Sequence, residues 1–225
     1  MNRFIVVSAV CITSLLTGCQ EAKDLNNPIS EKDIYKKIGE EIPFETGMEW
    51  IAYHRTKNKV QARTESDALY YVPATQMDLL LRPVTALVGV AFHYGIDDAG
   101  VTHILVIPVD ESLSLWSPGD NKTIIDANTG STIAQATALL WAENYKTINP
   151  ESIWFHFFGK DIFDEMRALP YYTGITIEPA TNVTELTPEL LLVIWKEDAV
   201  STGRTQSSTA TVYDASNACP PCAAE

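Results

Sequence analysis

The most regular hydrophobic pattern of the chain lies in two pairs of short apolar runs. The first pair, residues 87–94 and 103–109, flanks an acidic, glycine-containing segment at residues 97–100. Apolar runs on either side of such a turn predict a β-hairpin. The second pair, residues 172–177 and 190–195, is separated by a longer polar loop and predicts a second pair of strands.

Helical spacing of apolar residues precedes both strand pairs. Ser30 can cap a first helix, and Pro43 opens a second one. Residues 132–145 show helical spacing again in the second half. Two shorter helices are predicted over residues 76–81 and 160–169, each ended by a nearby proline.

The two halves of the chain repeat this order of helix, short helix, strand and strand. Similar segments support the repeat at three places. They are residues 49–54 and 140–145, residues 77–83 and 163–170, and the strand glycines Gly89 and Gly174. We therefore predict an internal duplication with copies at residues 40–116 and 130–198, and chance alternation in a small α+β protein is the alternative.

A hairpin with two helices buries too little apolar surface to be stable alone. We expect the two hairpins to join into a single antiparallel sheet, with the helices packed on one of its faces. The predicted fold class is therefore α+β, in one domain that spans residues 30–200.

Composition and charge narrow the classes of function. The 225 residues are 46% hydrophobic and carry a formal net charge of −13. This hydrophobic fraction is typical of a globular protein rather than of a disordered one. The negative charge argues against binding nucleic acid, or anionic lipid headgroups, through charge.

The first residues have the layout of a signal peptide. A single positive charge, Arg3, precedes an apolar run that ends near Leu16. This run is too short to span a bilayer, since a spanning helix needs about 20 apolar residues. We therefore expect the protein to be exported.

Residues 16–19, Leu-Thr-Gly-Cys, resemble the lipobox of bacterial lipoproteins. The resemblance implies a signal peptide at residues 1–18, cleavage between Gly18 and Cys19, and lipid attached to Cys19. Two or more acyl chains anchor a protein firmly, whereas one chain gives only marginal binding. The polar residues 19–29 would then form a tether at the cell envelope, and the outer membrane is preferred by analogy.

A Cys-Pro-Pro-Cys motif, formed by Cys219 and Cys222, lies in the predicted tail at residues 201–225. In an oxidising envelope the two thiols are expected to pair as a disulfide. Thioredoxin-like chemistry favours a first cysteine at a helix N-terminus, and only three residues follow the motif. A redox or metal role for the two cysteines is the alternative.

The first hairpin, its preceding helices and the tail resemble a group of small uncharacterised bacterial envelope proteins. The matching parts are residues 50–111 and the Cys219–Cys222 motif. The resemblance supports the unit of helices and hairpin as a fold, and it implies no activity.

Histidines and carboxylates on the first hairpin are the main candidates for chemistry. His93 and His103 lie on its two arms, and Asp97 and Asp98 lie at its turn. Together they could bind a metal ion or exchange protons. The favoured alternative is a hairpin with polar residues on its solvent face.

The remaining candidates are weaker. His156 lies among aromatic residues and is interpreted as a packed histidine, whereas His54 is placed on a solvated helix face. The sequence contains no HExxH, GxSxG or calcium-loop pattern. Trp116, Trp154 and Trp195 are candidate interface anchors, with core packing as an equal alternative.

We therefore expect a membrane-anchored envelope lipoprotein that acts as a non-enzymatic binding or structural module. Its expected partners are the membrane, through the lipid, and an envelope protein. No cofactor, metal ion or nucleic acid is expected. A hydrolase or metal-dependent enzyme that uses His93, His103 and Asp97 is the alternative.

Overall fold

The computed structural model of the chain describes residues 30–58, 70–116, 123–196 and 210–214. Within these ranges the helices are α1 (Glu31–Tyr35), α2 (Phe44–Lys57), α3 (Ala74–Leu81), α4 (Gln135–Ile148) and α5 (Lys160–Ala168). The strands are β1 (Glu40–Ile42), β2 (Tyr70–Pro73), β3 (Leu87–Ile96), β4 (Thr102–Asp110), β5 (Ile124–Asp126), β6 (Ser131–Ile133), β7 (Phe155–Gly159), β8 (Gly174–Thr181), β9 (Pro188–Trp195) and β10 (Ala210–Asp214). None of these helices combines the length and the apolar character needed to cross a membrane.

The strands form two separate five-stranded antiparallel sheets. The first sheet has the order β1-β10-β9-β8-β2, and the second has the order β6-β5-β4-β3-β7. The predicted α+β class is confirmed, because helices accompany antiparallel sheets throughout the described residues. The prediction of one sheet made from both hairpins is wrong, because each hairpin belongs to its own sheet.

The two sheets face each other across the largest apolar core. Inward-pointing residues of both sheets meet there, together with side chains of α3 and α5. Helix α2 covers the outer face of the first sheet, where Ile51 packs with Leu191 and Val193. Helix α4 covers the outer face of the second sheet through Ala138 and Ala142. The expectation that helices cover only one face is therefore also wrong.

The strand sequences explain why helices lie on both outer faces. Strands β3 and β4 are buried along almost their whole length. Their sequences are nearly continuous apolar runs rather than alternating ones. Such a strand presents apolar side chains on both faces of its sheet, so both faces need a covering layer.

The two halves of the chain occupy equivalent places in the two sheets. Strands β6 and β7 of the second half flank β5-β4-β3, and strands β1 and β2 of the first half flank β10-β9-β8. Trp50 of α2 and Trp141 of α4 each lie six residues after the first residue of their helix. This arrangement has the symmetry expected of a duplicated chain, and common ancestry of the halves stays a prediction.

Strand β10 corrects the predicted end of the domain. Ala210–Asp214 pairs with β9 on one side and with β1 on the other. All five of its residues are buried. The folded domain therefore continues past residue 200, into the segment predicted to be a tail.

Helix α1 ties the start of the described chain to helix α5. Ser30 caps α1, as the sequence predicts, by accepting a hydrogen bond from the backbone N–H of Asp33. The carbonyl of Lys36 accepts a hydrogen bond from the backbone N–H of Asp161, 3.0 Å away, in the first turn of α5. Gly159 is needed at this contact, because a Cβ atom there would lie 2.2 Å from the Lys36 carbonyl oxygen.

Candidate functional site

His103 lies between two carboxylates on the outer face of the second sheet. Its Nδ1 is 3.1 Å from Asp126 Oδ1, and its Nε2 is 3.3 Å from Asp97 Oδ2. The imidazole stacks on the indole of Trp141, with 4.3 Å between the ring centroids. We name these four residues the histidine clamp, because they join the β3–β4 hairpin, strand β5 and helix α4.

Asp97 is held in place by the turn of the hairpin. Its carboxylate accepts hydrogen bonds from the backbone N–H groups of Ala99, at 2.9 Å, and Val101, at 2.8 Å. The bond from Val101 is the main reason why the pKa of Asp97 lies below its usual range, and the contact with His103 contributes to the shift. The turn therefore presents an ionised, oriented carboxylate to the imidazole.

Asp126 is held in a similar way at the end of β5. Its carboxylate accepts hydrogen bonds from the backbone N–H of Asn128, at 3.0 Å, and from the hydroxyl of Thr129, at 2.9 Å. The side chain is buried. Burial of a carboxylate is unfavourable unless it is paired and hydrogen-bonded, and these donors together with His103 meet that need.

The histidine clamp is suited to holding elements together rather than to catalysis. Carboxylate oxygens already face both ring nitrogens of His103. A metal ion or a substrate would have to displace one of the carboxylates. In the part of the chain that the structure describes, no group of three or more His, Cys, Asp or Glu residues is arranged to hold a metal ion.

His93 lies outside the clamp, although the sequence places it in the same candidate cluster. It is opposite Leu105 on β4, on the same face as His103 but two positions along the strand. Its Nδ1–H donates to the carbonyl of Tyr94 at 2.6 Å, and its ring stacks on Phe155. Of the predicted set, only His103 and Asp97 are brought together.

The favoured alternative, a solvent-facing hairpin, is also wrong. His93 is 1% exposed and His103 is 7% exposed, because helix α4 covers this face of the sheet. Sequence reasoning missed Asp126 and Trp141 as members of the site. A signal for Asp126 was present, since Asp-Ala-Asn-Thr-Gly after a short apolar run is a typical turn sequence at the end of a strand.

The other two histidines make different contacts. His156 is buried on β7, and neither ring nitrogen has a hydrogen-bond partner within the described residues. Burial lowers the pKa of His156 to about 4, so it is a neutral, packed histidine at pH 7. His54 is half-buried rather than solvated. Its Nδ1 lies 3.1 Å from the hydroxyl of Thr181, and burial lowers its pKa.

The three candidate anchor tryptophans pack against the apolar cores. Trp116 and Trp154 contact the core on the outer face of the second sheet, and Trp195 contacts the core on the outer face of the first. The amine of Lys146 also lies 4.8 Å from the centroid of the Trp154 ring. Core packing therefore accounts for all three side chains.

A cleft of about 440 Å³ opens between the end of α1, the end of α3 and helix α5. It is lined by Lys36, Leu81, Arg82, Val84, Ala86, Leu87, Lys160, Asp161, Phe163, Asp164 and Arg167. Four of these side chains are cations and two are carboxylates, whereas the whole chain has 16 Lys and Arg against 29 Asp and Glu. We name it the cationic cleft, because its charge is opposite to that of the chain.

Ion pairs at the surface hold the cations of the cationic cleft. Arg82 and Arg167 both bind Asp78, at 3.4 Å and 3.0 Å. The amines of Lys36 and Lys160 each pair with a nearby aspartate. The single carboxylate of Asp78 thus pairs with two guanidinium groups.

Comparison with protein-family models, curated proteins and solved structures gives no match for this chain. Several predicted features lie outside the described residues. They are the cleavage site between Gly18 and Cys19, the lipid on Cys19, and the pairing of Cys219 with Cys222.

Proposed function

We propose that this protein is a lipid-anchored envelope lipoprotein that binds a small anionic ligand in the cationic cleft and catalyses no reaction. The cleft is the observation that carries the proposal. Its volume of about 440 Å³ falls within the range of small-molecule sites, roughly 300–1,000 Å³. Its lining combines five apolar residues with six charged ones, so it can contact both an organic group and a charged group.

The placement of the histidines supports binding rather than catalysis. A general base must reach the proton that it removes, directly or through one water molecule. None of the four histidines is among the residues that line the cationic cleft. In the histidine clamp, both nitrogens of His103 face carboxylates instead of an open site.

The anchor is supported by the lipobox-like sequence that ends at Cys19. Growing cells with an alkyne-bearing fatty acid should label the wild-type chain, and Cys19→Ser should lose both the label and its membrane location. Cys11→Ser is the matched control, since it removes the other cysteine of the same segment and should keep both. A labelled Cys19→Ser chain, or an unlabelled wild-type chain, would contradict the anchor.

The binding role can be tested by native mass spectrometry of the chain purified from membranes. The wild-type chain should carry a non-covalent small ligand, and Val84→Trp, which fills the cleft, should lose it. Val101→Trp introduces the same side chain at an exposed position outside the lining and should keep the ligand. A wild-type chain without ligand, or a ligand that persists in Val84→Trp, would refute the role of the cleft.

A further inference from the structure

We propose that the ligand of the cationic cleft carries a phosphate ester, held by Arg82, Arg167, Lys36 and Lys160. This inference rests on the proposed binding function and names the chemical group that the cleft recognises.

The charge of the lining matches a phosphate monoester. The lining holds four cations and two carboxylates, and Asp33 and Asp78 balance the other two positive charges from outside the lining. A phosphate monoester carries about −1.5 to −2 at pH 7. One such group can replace Asp33 and Asp78 as the partner of these cations with about the same charge, whereas a single carboxylate would supply about half of it.

The ion pairs that now hold the arginines can exchange for a ligand. Asp78 is shared by Arg82 and Arg167, whose side chains are 76% and 39% exposed. Exposed ion pairs of this kind contribute little to stability, so displacing Asp78 is not costly. Each guanidinium group can then donate two parallel hydrogen bonds to phosphate oxygens.

The elements around the cleft favour the same ligand. The first turn of α5 forms part of the lining, and the positive end of a helix dipole stabilises a nearby anion. The apolar wall, formed by Leu81, Val84, Leu87 and Phe163, suits an organic group attached to the phosphate. Inorganic phosphate alone would leave this wall without a partner.

Two sources of phosphate ester share this chemistry, a phospholipid headgroup and a soluble phosphorylated metabolite. Lys36 directly follows α1, which begins after Ser30, so the cleft lies near the point where the predicted tether enters the domain. Residues 19–29 span roughly 40 Å at most when fully extended. Headgroups of the anchoring membrane are therefore within reach of the cleft.

Isothermal titration calorimetry of the detergent-solubilised full chain tests the inference. The probes are glycerol 3-phosphate as a soluble ester and dihexanoyl phosphatidic acid as a lipid ester, with glycerol as the uncharged control. We expect a phosphate probe to bind, glycerol not to bind, and affinity to fall as salt rises, because salt screens the charges. Tighter binding of the first probe identifies a soluble ligand, and tighter binding of the second identifies a headgroup.

Variants assign the binding to the cleft. The double variant Arg82→Ala, Arg167→Ala should weaken binding about tenfold or more, since two charge-assisted contacts are lost. Lys37→Ala is the matched control, because Lys37 is exposed, adjacent to Lys36 and outside the lining. Circular dichroism should show both variants folded.

Three results would overturn the inference. The first is no binding of either phosphate probe, and the second is unchanged binding in the double arginine variant. The third is equal weakening in the arginine variant and in Lys37→Ala. A chain that retains a ligand in native mass spectrometry but binds neither probe overturns the phosphate assignment and leaves the proposed function in place.

Discussion

Burial of His156 makes the stability of the protein depend on pH below neutrality. The side chain is 1% exposed and packs edge-on against Tyr94. Burial lowers the pKa of His156 from 6.5 to about 4, because a low-dielectric environment disfavours the imidazolium form. Between these two pH values the unfolded chain binds a proton at this position and the folded chain does not.

Proton linkage gives the direction and the size of the effect. Well above pH 6.5 the imidazole of His156 is neutral in both the folded and the unfolded chain. His156 therefore contributes no pH dependence to the free energy of unfolding in that range. As the pH falls, the free energy of unfolding drops by about 1 kcal/mol near pH 5.5 and by about 3 kcal/mol near pH 4. The loss levels off at lower pH, where the folded state binds the proton too.

His156→Phe removes the titrating group and keeps an aromatic ring. As the pH falls from about 7.5 to about 4, we expect the free energy of unfolding of the variant to rise by about 3 kcal/mol relative to that of the wild type. Urea denaturation followed by circular dichroism measures this difference. Ile34→Phe, at a position that is 56% exposed, is the control and should follow the wild type at every pH. A difference between His156→Phe and the wild type that stays constant over this range would refute the reasoning.

Three further changes test the fold and the clamp. Gly159→Ala should lower stability in thermal denaturation by about 2 kcal/mol, since its Cβ atom would collide with the Lys36 carbonyl oxygen; an unchanged midpoint would contradict that contact. Asp126→Asn should lower the free energy of unfolding, measured by urea denaturation, by about 3 kcal/mol, because it removes the buried carboxylate from the histidine clamp. The exposed Asp98→Asn should have little effect, and equal losses in the two variants would argue against the clamp. A chain that ends at residue 200 lacks β10 and should show no cooperative unfolding in calorimetry, whereas a cooperative transition would show that the strand is dispensable.

The first hairpin could be predicted because the information for it is local. Strands β3 and β4 are long apolar runs on either side of a turn-forming segment. Strands β1, β5 and β6 have three residues each, which is too short to show the two-residue period of a strand. They form because other strands provide the hydrogen bonds, β10 for β1, β4 for β5, and β5 for β6.

Half of the histidine clamp could be predicted for the same reason. Asp97 and His103 are six residues apart in one hairpin, so the turn brings them together. Asp126 is 23 residues from His103, and Trp141 reaches it from a helix. Their contacts depend on how β5 and α4 pack on the hairpin. The cationic cleft depends on packing still more, since α3, α5 and the residue that follows α1 all line it.

The second half of the chain shows that the fold does not require a histidine clamp. Asp126 of β5 and Asp214 of β10 are both buried. Asp126 lies opposite Leu105, which comes two residues after His103. Asp214 lies opposite Leu191, which comes two residues after Glu189. Glu189 thus occupies the position equivalent to His103, and burial raises its pKa. An ionised carboxylate at that position has no hydrogen to donate to a buried aspartate, so the side-chain contacts differ while the strand register is the same.

The turns of the two hairpins are also held by similar side-chain hydrogen bonds. Asp97 accepts two backbone hydrogen bonds at the first turn, and Asn182 accepts two at the second, from Thr184 and Glu185. An uncharged amide therefore forms the turn as well as a carboxylate does, so the negative charge of Asp97 is not needed to build the hairpin. The contacts of the histidine clamp therefore join elements of the first half without determining its topology. Asp126→Asn should accordingly unfold at a lower urea concentration than the wild type, while its far-ultraviolet circular dichroism spectrum in the absence of urea is unchanged.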